Sequence, residues 1–193
     1  MKFPIGIQQF EKLCEEDWVY VDKTVHIYNL VQGGTCYFLS RPRRFGKSML
    51  LSTLEAYFQG KKHLFKGLAI EQLETEWAVH AVLHLDLNAE KYTAPEDLTN
   101  ILDTYLREWE EKYESTEKEN PSLSQRFRSV IRAAKQKTGR NVVVLVDEYD
   151  KPMLQAIGNE QLQTEFRNAL KAFYGVLKSA DGDLRFAMLT SVT

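Results

Sequence analysis

The sequence contains few cysteines and no long apolar run. Its two cysteines, Cys14 and Cys36, have neither metal-ligand nor redox spacing, and so small a number does not supply the disulfide framework of a secreted domain. No apolar stretch approaches the ~20 residues that a membrane-spanning helix needs. The segment Met1–Gly6 lacks the apolar core of a signal peptide. We therefore expect a soluble, cytoplasmic protein that has no membrane partner.

The sequence also lacks an excess of charge of either sign. It has 25 Lys and Arg against 27 Asp and Glu, a formal net charge of −2, which gives no overall attraction to nucleic acid or to an anionic membrane. The exception is a predicted helix over residues 123–137, which is rich in basic residues: Arg126, Arg128, Arg132, Lys135 and Lys137, with Arg140 just beyond. Such a cluster is typical either of a DNA-contacting surface or of a solvated helix face balanced by the acidic stretch before it. The low net charge favours the second interpretation.

Two common hydrolase motifs are missing. Neither H-E-x-x-H nor G-x-S-x-G occurs, so the metalloprotease and serine-hydrolase classes lack support. His80 and His84 lie four residues apart, but a strand is predicted over residues 81–87. On a strand that spacing does not bring two imidazoles to one metal as it would on a helix.

The most informative segment is a loop between a predicted strand and a predicted helix. An apolar run, Cys36–Leu39, precedes the loop Ser40–Ser48, which reads S-R-P-R-R-F-G-K-S. Strand, loop and helix are the context in which G-x-x-x-x-G-K-[ST] binds phosphate through backbone N–H groups and a helix N-terminus. In that arrangement Lys47 reaches the β- and γ-phosphates and Ser48 ligates Mg²⁺. Gly46 lets the backbone approach the phosphates.

One position departs from this motif. Its first glycine would fall at residue 41, where the chain has Arg41 followed by Pro42. Pro42 has no N–H to donate, and it pushes Arg41 towards an extended conformation. The front of the loop must therefore be built in another way. The alternative to phosphate binding, on this loop alone, is a basic surface turn.

A second segment supports nucleotide binding. Residues 142–146 form an unbroken apolar, mostly β-branched run that ends in Asp147 and Glu148, which predicts a parallel strand buried on both faces. Acids at the carboxyl end of such a strand, about a hundred residues after the loop, form a Walker B pattern. Asp147 would hold Mg²⁺ through water, and Glu148 would orient and deprotonate the attacking water.

Three motifs together resemble the AAA-ATPase-like family. They are Arg41–Ser48, the segment Asp147–Pro152 (D-E-Y-D-K-P) and the early segment Tyr20–Thr24 (Y-V-D-K-T). The resemblance covers nearly the whole chain, and Arg at the first loop position is a habit of this family. Many members carry a C-terminal nuclease-like domain of the PD-(D/E)XK type. The resemblance therefore implies ATP and Mg²⁺ as ligands and an attached domain as the effector.

The resemblance also implies which residues contact the nucleotide. Tyr20 and Asp22 become candidates for base or ribose contacts, the alternative being that their segment only packs an N-terminal helix pair. In AAA-type ATPases the strand after Walker B ends in a polar residue, called sensor 1, and Thr190, or Ser191 one residue on, fits that place. The phosphate loop and the start of its helix would contribute Arg43, Arg44, Phe45, Gly46, Lys47, Ser48 and Met49.

The fold expected is α/β: a three-layer α/β/α sandwich of P-loop type with an AAA-type parallel sheet. In the related architecture the sensor 1 strand separates the Walker A and Walker B strands. A long helix is predicted over residues 95–118. Residues 1–34 would form an N-terminal helical extension and residues 35–193 a P-loop core, as a fragment that stops before a fifth strand, a lid and a nuclease-like domain. The strands are predicted near residues 35–40, 81–87, 141–147 and 184–190.

The expected activity is Mg²⁺-dependent hydrolysis of the β–γ bond of ATP. Glu148, Lys47 and Thr190 would be catalytic, with Ser48 and Asp147 at the metal. Hydrolysis would drive or regulate an attached nuclease-like or nucleic-acid-processing domain. Two alternatives stay open, a nucleotide-gated switch with little turnover and a nucleic-acid-binding module; a nucleotide kinase has less support because no acceptor-binding region is recognisable. Further partners considered are DNA or RNA, through a longer protein, and a second copy of the chain in a homo-oligomer.

Overall fold

The computed structural model describes residues 3–4, 6–16, 18–116 and 121–192. A parallel sheet lies at the centre, and its strand order is β1-β4-β3-β2. The predicted α/β class is confirmed, and so is the position of the strand that ends near Thr190, between the strand before the loop and the strand that ends in Asp147. The strands are β1 Cys36–Ser40, β2 Val82–Asp86, β3 Val142–Asp147 and β4 Leu184–Ser191.

Helices follow or precede each strand in the described part of the chain. Two short 3₁₀ turns, Lys62–Phe65 and Asp181–Asp183, complete the connections. The α-helices are α1 Phe10–Glu15, α2 Thr24–Gly33, α3 Lys47–Phe58, α4 Ile70–Leu73, α5 Pro95–Tyr113, α6 Leu123–Thr138, α7 Lys151–Gln155 and α8 Glu160–Ser179.

The β-branched run of β3 forms the centre of the sheet because both of its faces are covered. Every residue from Val142 to Asp147 is buried. Val143 and Leu145 face one hydrophobic cluster, whereas Val142, Val144 and Val146 face the other. Alternate side chains of a strand point to opposite faces, so the two clusters identify a three-layer α/β/α sandwich.

The two clusters differ in the helices that supply them. On one face, β2 and β3 pack against apolar residues of α5, α6 and α8, such as Leu102, Phe127 and Phe173. On the other face, Phe58 of α3 and Phe186 of β4 pack with residues of α1 and α2. The N-terminal helices therefore share a core with the sheet. The division of the chain at residue 34 stays a prediction.

One predicted helix boundary is wrong. The helix expected over residues 95–118 ends at Tyr113. Glu114 has φ 55 and ψ 39, a left-handed conformation that ends the α-helical hydrogen bonding. The remainder of the expected helix lies partly outside the described residues, since 117–120 are not described.

No helix within the described ranges is both long enough and apolar enough to cross a membrane.

Candidate active site

The loop between β1 and α3 directs a helix N-terminus at a cleft. Gly46 caps α3 with φ 76 and ψ 20, a left-handed conformation that glycine adopts without steric cost. The Lys47 ammonium is buried and donates hydrogen bonds to the carbonyl oxygens of Arg41, at 2.9 Å, and Pro42, at 3.1 Å. The two residues that depart from the glycine motif thus contribute carbonyl groups, which proline retains.

Asp147 accepts a hydrogen bond on each of its carboxylate oxygens. The Ser48 hydroxyl donates to Oδ2 at 2.6 Å, and the Thr190 hydroxyl donates to Oδ1 at 2.5 Å. Asp147 and Thr190 are both buried. The carboxyl ends of β3 and β4 and the N-terminus of α3 therefore meet at one place. There they bring together the predicted metal ligands, Ser48 and Asp147, and the predicted sensor residue, Thr190.

Glu148 follows in a conformation that is uncommon for a residue with a side chain. Its φ is 49, and its N–H donates to the Thr190 hydroxyl at 3.1 Å. The side chain is 8% exposed, and its Oε2 has no hydrogen-bond partner among the described residues. Burial, followed by the charge of Asp147, raises the pKa of this carboxyl, although Lys47, Arg43 and Lys151 act in the opposite direction. Strain and an unpartnered buried oxygen are both features of functional sites.

Further bonds hold the ends of β1, β3 and β4 in register. The Tyr149 N–H donates to the Thr190 carbonyl at 2.9 Å, and the Ser191 hydroxyl donates to Ser40 Oγ at 3.2 Å. Asp150 accepts from the Val192 N–H at 3.2 Å. Burial raises the pKa of Asp150 despite this bond. These hydrogen bonds fix the carboxyl ends of β1, β3 and β4 relative to one another.

A cleft of about 870 Å³ opens beside these strand ends. Most of the predicted phosphate loop lines it: Arg43, Arg44, Gly46, Lys47, Ser48 and Met49, together with Glu148. Residues that the sequence reasoning missed complete the walls: Pro4, Gly6, Ile7, Gln8, Asn88, Lys151 and Gln155. A cleft of this size suits a small-molecule ligand.

Three predicted contact residues are not among those that line the cleft. Phe45 is 68% exposed at the crest of the loop. Tyr20 packs edge-on against Phe10, with ring centroids 5.4 Å apart, and burial together with the charge of Asp22 raises the pKa of its phenol to about 12. Their nucleotide contacts stay predictions.

Asp22 is engaged in local structure instead of facing the cleft. Its Oδ2 accepts from the Ala69 N–H at 2.7 Å, and its Oδ1 accepts from the backbone and hydroxyl of Thr24 at 2.8 and 2.7 Å. These bonds start α2 and attach it to the segment before α4. The alternative considered from the sequence, packing of an N-terminal helix pair, describes this geometry.

Comparison with known families agrees with the geometry of the cleft. A family model described as "Predicted AAA-ATPase" matches residues 4–193. The chain belongs to this AAA-ATPase family. The resemblance inferred from the three motifs is therefore confirmed.

One relative of this chain is an uncharacterized protein from Azotobacter chroococcum mcd 1, named for its place in the vnfD 5′ region. It is 41% identical over 196 residues, which cover 100% of this chain and 37% of the relative. The chain thus spans a little over a third of the length of this relative.

The chain has a second, smaller polar cleft, which lies beside Asp147. It has a volume of about 360 Å³ and is lined by Ser48, Asp86 and residues of α3. His84 donates from Nδ1 to Glu55 Oε2 at 2.8 Å there. Burial lowers the pKa of His84, but the hydrogen bond and charge of Glu55, with Asp147 and Asp86, outweigh burial and raise it overall. His84 and Glu55 therefore form a close pair in this cleft. The expectation that His84 is not a metal ligand stays a prediction.

The basic helix α6 uses several of its cations within the chain. Arg126 donates to both carboxylate oxygens of Glu110, at 2.7 and 2.8 Å, and to Asp103 at 2.5 Å. Lys135 pairs with Asp183 at 2.8 Å, and Lys137 pairs with Glu114 at 2.5 Å. These pairs support the interpretation that the cluster is a solvated face balanced by the acidic stretch.

Proposed function

We propose that this chain binds ATP in the 870 Å³ cleft and hydrolyses its β–γ bond with Mg²⁺. The observation that carries the proposal is the convergence of four side chains. Lys47, Ser48 and Glu148 line that cleft, and Asp147, which lines the smaller cleft that shares Ser48, accepts a hydrogen bond from Ser48. The first two come from the phosphate loop and the last two from the carboxyl end of β3. Such an arrangement is suited to a nucleoside triphosphate whose phosphates lie on the N-terminus of α3.

The donor set fits Mg²⁺. Ser48 Oγ and Asp147 Oδ2 are hard oxygen donors already in contact at 2.6 Å, and Mg²⁺ is usually held by one or two carboxylates together with substrate phosphates. The described residues contain no group of three or more His, Cys, Asp or Glu side chains placed to hold a metal, so a metal here would take further ligands from phosphate and water. When bound, Mg²⁺ would neutralise charge on the β- and γ-phosphoryl oxygens.

Lys47 and Arg43 supply positive charge from the protein. The Lys47 ammonium is held by two neutral carbonyl oxygens, which it can exchange for phosphate oxygens because a charged acceptor forms the stronger hydrogen bond. Arg43 lines the same cleft and acts on the Glu148 carboxyl electrostatically. Both cations would stabilise charge that develops on the transferred phosphoryl group.

Glu148 would accept the proton of the attacking water. Its unpartnered Oε2 is free to accept a hydrogen bond, and its raised pKa makes it a stronger base than an exposed glutamate. Thr190 would act through its neighbours, since it bonds both Asp147 and the Glu148 N–H.

The base of the nucleotide would lie against the N-terminal residues that line the cleft. Residues 4 and 6–8 line that cleft together with Met49. We propose that this N-terminal segment contacts adenine. Its backbone polar groups and the apolar side chain of Ile7 suit a flat heteroaromatic ring.

ATP hydrolysis would drive or regulate an attached domain, of which the nuclease-like type is our specific proposal. The much greater length of the Azotobacter relative leaves room for such a domain. A nucleotide-gated switch with little turnover is the alternative within the same site. Glu148 favours turnover, because this carboxylate can serve as the general base and its loss is the simplest way to abolish hydrolysis.

The test is calorimetric titration of ATP with Mg²⁺ into the wild type, Lys47→Ala and Glu148→Gln, followed by phosphate-release assays. We expect binding to the wild type, loss of binding in Lys47→Ala, and retained binding without phosphate release in Glu148→Gln. Lys171→Ala, at an exposed position on α8, is the matched control and should bind as the wild type does. Equal ATP binding by wild type and Lys47→Ala would place the nucleotide elsewhere. Retained binding with equally slow phosphate release in wild type and Glu148→Gln would support the switch.

A further inference from the structure

Lys151 lies on the wall of the cleft that faces the phosphate loop. It begins α7, three residues after Glu148, and its N–H donates to the Glu148 carbonyl at 3.0 Å. Its ammonium donates to the backbone carbonyl of Asn88 and to Asn88 Oδ1, the latter at 3.1 Å. Asn88 and Lys151 both line the same cleft as Lys47 and Glu148.

The ammonium groups of Lys47 and Lys151 are held in the same way. Each one donates to two neutral oxygens, Arg41 and Pro42 carbonyls for Lys47 and the two Asn88 oxygens for Lys151. Neither forms an ion pair within 4.0 Å of a carboxylate in the described ranges. The cations elsewhere that pair with acids include Lys61, Arg126, Lys135 and Lys137.

This difference has an electrostatic consequence. A lysine that is paired with a carboxylate presents little net charge to a ligand, whereas one held by neutral oxygens keeps its full charge available. Lys47, Arg43 and Lys151 all line the cleft that Glu148 also lines, so three cations border the same space. An anion with several negative charges would complement that arrangement.

We propose that Lys151 contacts the γ-phosphoryl group of bound ATP, as a catalytic cation supplied by the same chain. The inference rests on the proposed function. The ammonium would exchange Asn88 oxygens for γ-phosphoryl oxygens, a change that its flexible four-carbon stem permits. The Asn88 oxygens hold the ammonium at the cleft wall only while no nucleotide is bound.

In the reaction Lys151 supplies charge alone. The water oxygen forms the new bond to the γ-phosphorus, and the bond from that phosphorus to the β–γ bridging oxygen breaks. Glu148 takes the proton of the water, and ADP leaves with the bridging oxygen. Lys151 keeps its protons throughout and stabilises the equatorial oxygens, where charge is spread in the transition state. Supply in cis would remove the need for an arginine from a neighbouring subunit.

The alternative is that Lys151 only braces α7 against the turn after β2. A brace and a γ-phosphate contact differ in one measurable respect, discrimination between ATP and ADP. A residue that contacts the γ-phosphoryl group affects ATP binding alone, whereas a brace affects both nucleotides through the shape of the cleft.

The experiment compares wild type, Lys151→Met and Asn88→Ala by calorimetry with Mg²⁺ and either ADP or a non-hydrolysable ATP analogue. Methionine keeps the aliphatic stem and removes the charge. We expect Lys151→Met to lose roughly 10- to 100-fold in affinity for the ATP analogue, the range for a charge-assisted hydrogen bond, with less than about a twofold change for ADP. Phosphate release should fall by about 10²-fold or more, with partial rescue in Lys151→Arg.

Asn88→Ala separates the two interpretations, because it removes the Oδ1 acceptor and so weakens the brace, while it keeps the ammonium and the backbone carbonyl. It should lower the melting temperature without changing the ratio of ATP to ADP affinity. Equal losses for both nucleotides in Lys151→Met, matched by Asn88→Ala, would overturn the γ-phosphate contact. If the wild type binds neither nucleotide, the proposed function itself fails; if the wild type binds both and Lys151→Met keeps their ratio, the Lys151 inference alone fails.

A measurement on the wild type avoids any folding defect of the variants. Reductive methylation followed by mass spectrometry reports the reactivity of each lysine. The ATP analogue should protect Lys151 more than ADP does, while exposed Lys171 on α8 reacts equally in both cases. Equal protection of Lys151 by ADP would contradict the proposal.

Discussion

The Thr190 hydroxyl donates to Asp147 Oδ1 at 2.5 Å and accepts from the Glu148 N–H at 3.1 Å. One side chain at the end of β4 therefore bonds the predicted metal ligand and the backbone of the predicted base. Leu39 of β1 is the register partner of Thr190, so the residue also lies next to the strand that leads into the phosphate loop. Thr190 therefore lies between the strand that precedes the phosphate loop and the strand that ends in Asp147.

Thr190→Val should impair catalysis and stability together. Valine matches threonine in shape but lacks the hydroxyl, so the buried Glu148 N–H loses its acceptor, at a cost of about 1–3 kcal/mol in the free energy of unfolding. We expect phosphate release to fall more than ATP affinity, because the base is displaced. Thr190→Ser keeps the hydroxyl and should recover much of the rate. A rate in Thr190→Val equal to that of the wild type would contradict this role.

Gly46→Ala should lose ATP affinity far more than stability. Gly46 has φ +76 and its added Cβ would meet no atom within 4 Å, so the change costs only backbone strain, roughly 1–2 kcal/mol. In the complex the methyl group would occupy the space where the backbone approaches phosphate.

Gly139→Ala is the matched control for that change. Gly139 has φ +67 and equally open surroundings, at the far end of α6. Chemical denaturation should show similar losses of stability for the two variants, and calorimetry should show normal ATP binding for Gly139→Ala. Similar ATP affinities for the two variants would remove Gly46 from the binding site.

The His84–Glu55 pair should make stability depend on pH. The folded-state pKa of His84 is raised, so its contribution to stability is fully present below its unfolded value of about 6.5 and is lost as pH rises through the folded value. The pKa of Glu55 is raised by burial but lowered more by His84 and Lys61, so its contribution is lost as pH falls through its folded value. The pair should thus stabilise most between the two titrations.

His84→Gln isolates this effect. The difference in free energy of unfolding between wild type and His84→Gln should shrink as pH rises from about 6 to about 9. Urea denaturation at several pH values measures it. A difference that grows with pH in that range would mean that His84 is neutral in the folded protein.

Arg126→Met should destabilise the fold without weakening any DNA binding. The side chain is 15% exposed and its guanidinium bonds Glu110 and Asp103. Loss of this cation leaves the Glu110 carboxylate without its charge-assisted partner, at about 1.5–3 kcal/mol, whereas Asp103 keeps its ion pair with Arg107. Exposed Arg132 is the comparison, since Arg132→Ala should leave stability unchanged. Fluorescence anisotropy that detects salt-dependent DNA binding lost in Arg132→Ala would revive the nucleic-acid interpretation.

Local patterns were sufficient to predict the central elements. The β-branched run of 142–146 predicted a strand buried on both faces because no polar residue interrupts it, and the structure buries every one of these side chains. Likewise Gly46 and Lys47 marked the start of a helix, since both the left-handed cap and the following apolar stripe are local features. The AAA-type strand order came from the family resemblance.

The walls of the cleft could not be predicted in the same way. Gln8 and Asn88 lie far from the phosphate loop in sequence, and no periodicity indicates that tertiary folding brings them to it. Tyr20 and Asp22 illustrate the opposite case. Their motif is distinctive, yet the carboxylate of Asp22 bonds the Ala69 N–H, 47 residues away, so the same polar pattern serves helix packing.

The carbonyl groups that hold Lys47 bear on how such proteins are recognised from sequence. The ammonium bonds the oxygens of residues 41 and 42, and every amino acid, proline included, carries a backbone oxygen. A search pattern that demands glycine at position 41 would therefore pass over chains of this kind, although their loops hold the lysine in place. A pattern anchored on G-K-S and on a later β-branched run that ends in two acids would retain them. Glycine at the front of the loop is therefore not needed to hold the lysine. A motif that treats this glycine as obligatory underestimates the diversity of phosphate loops.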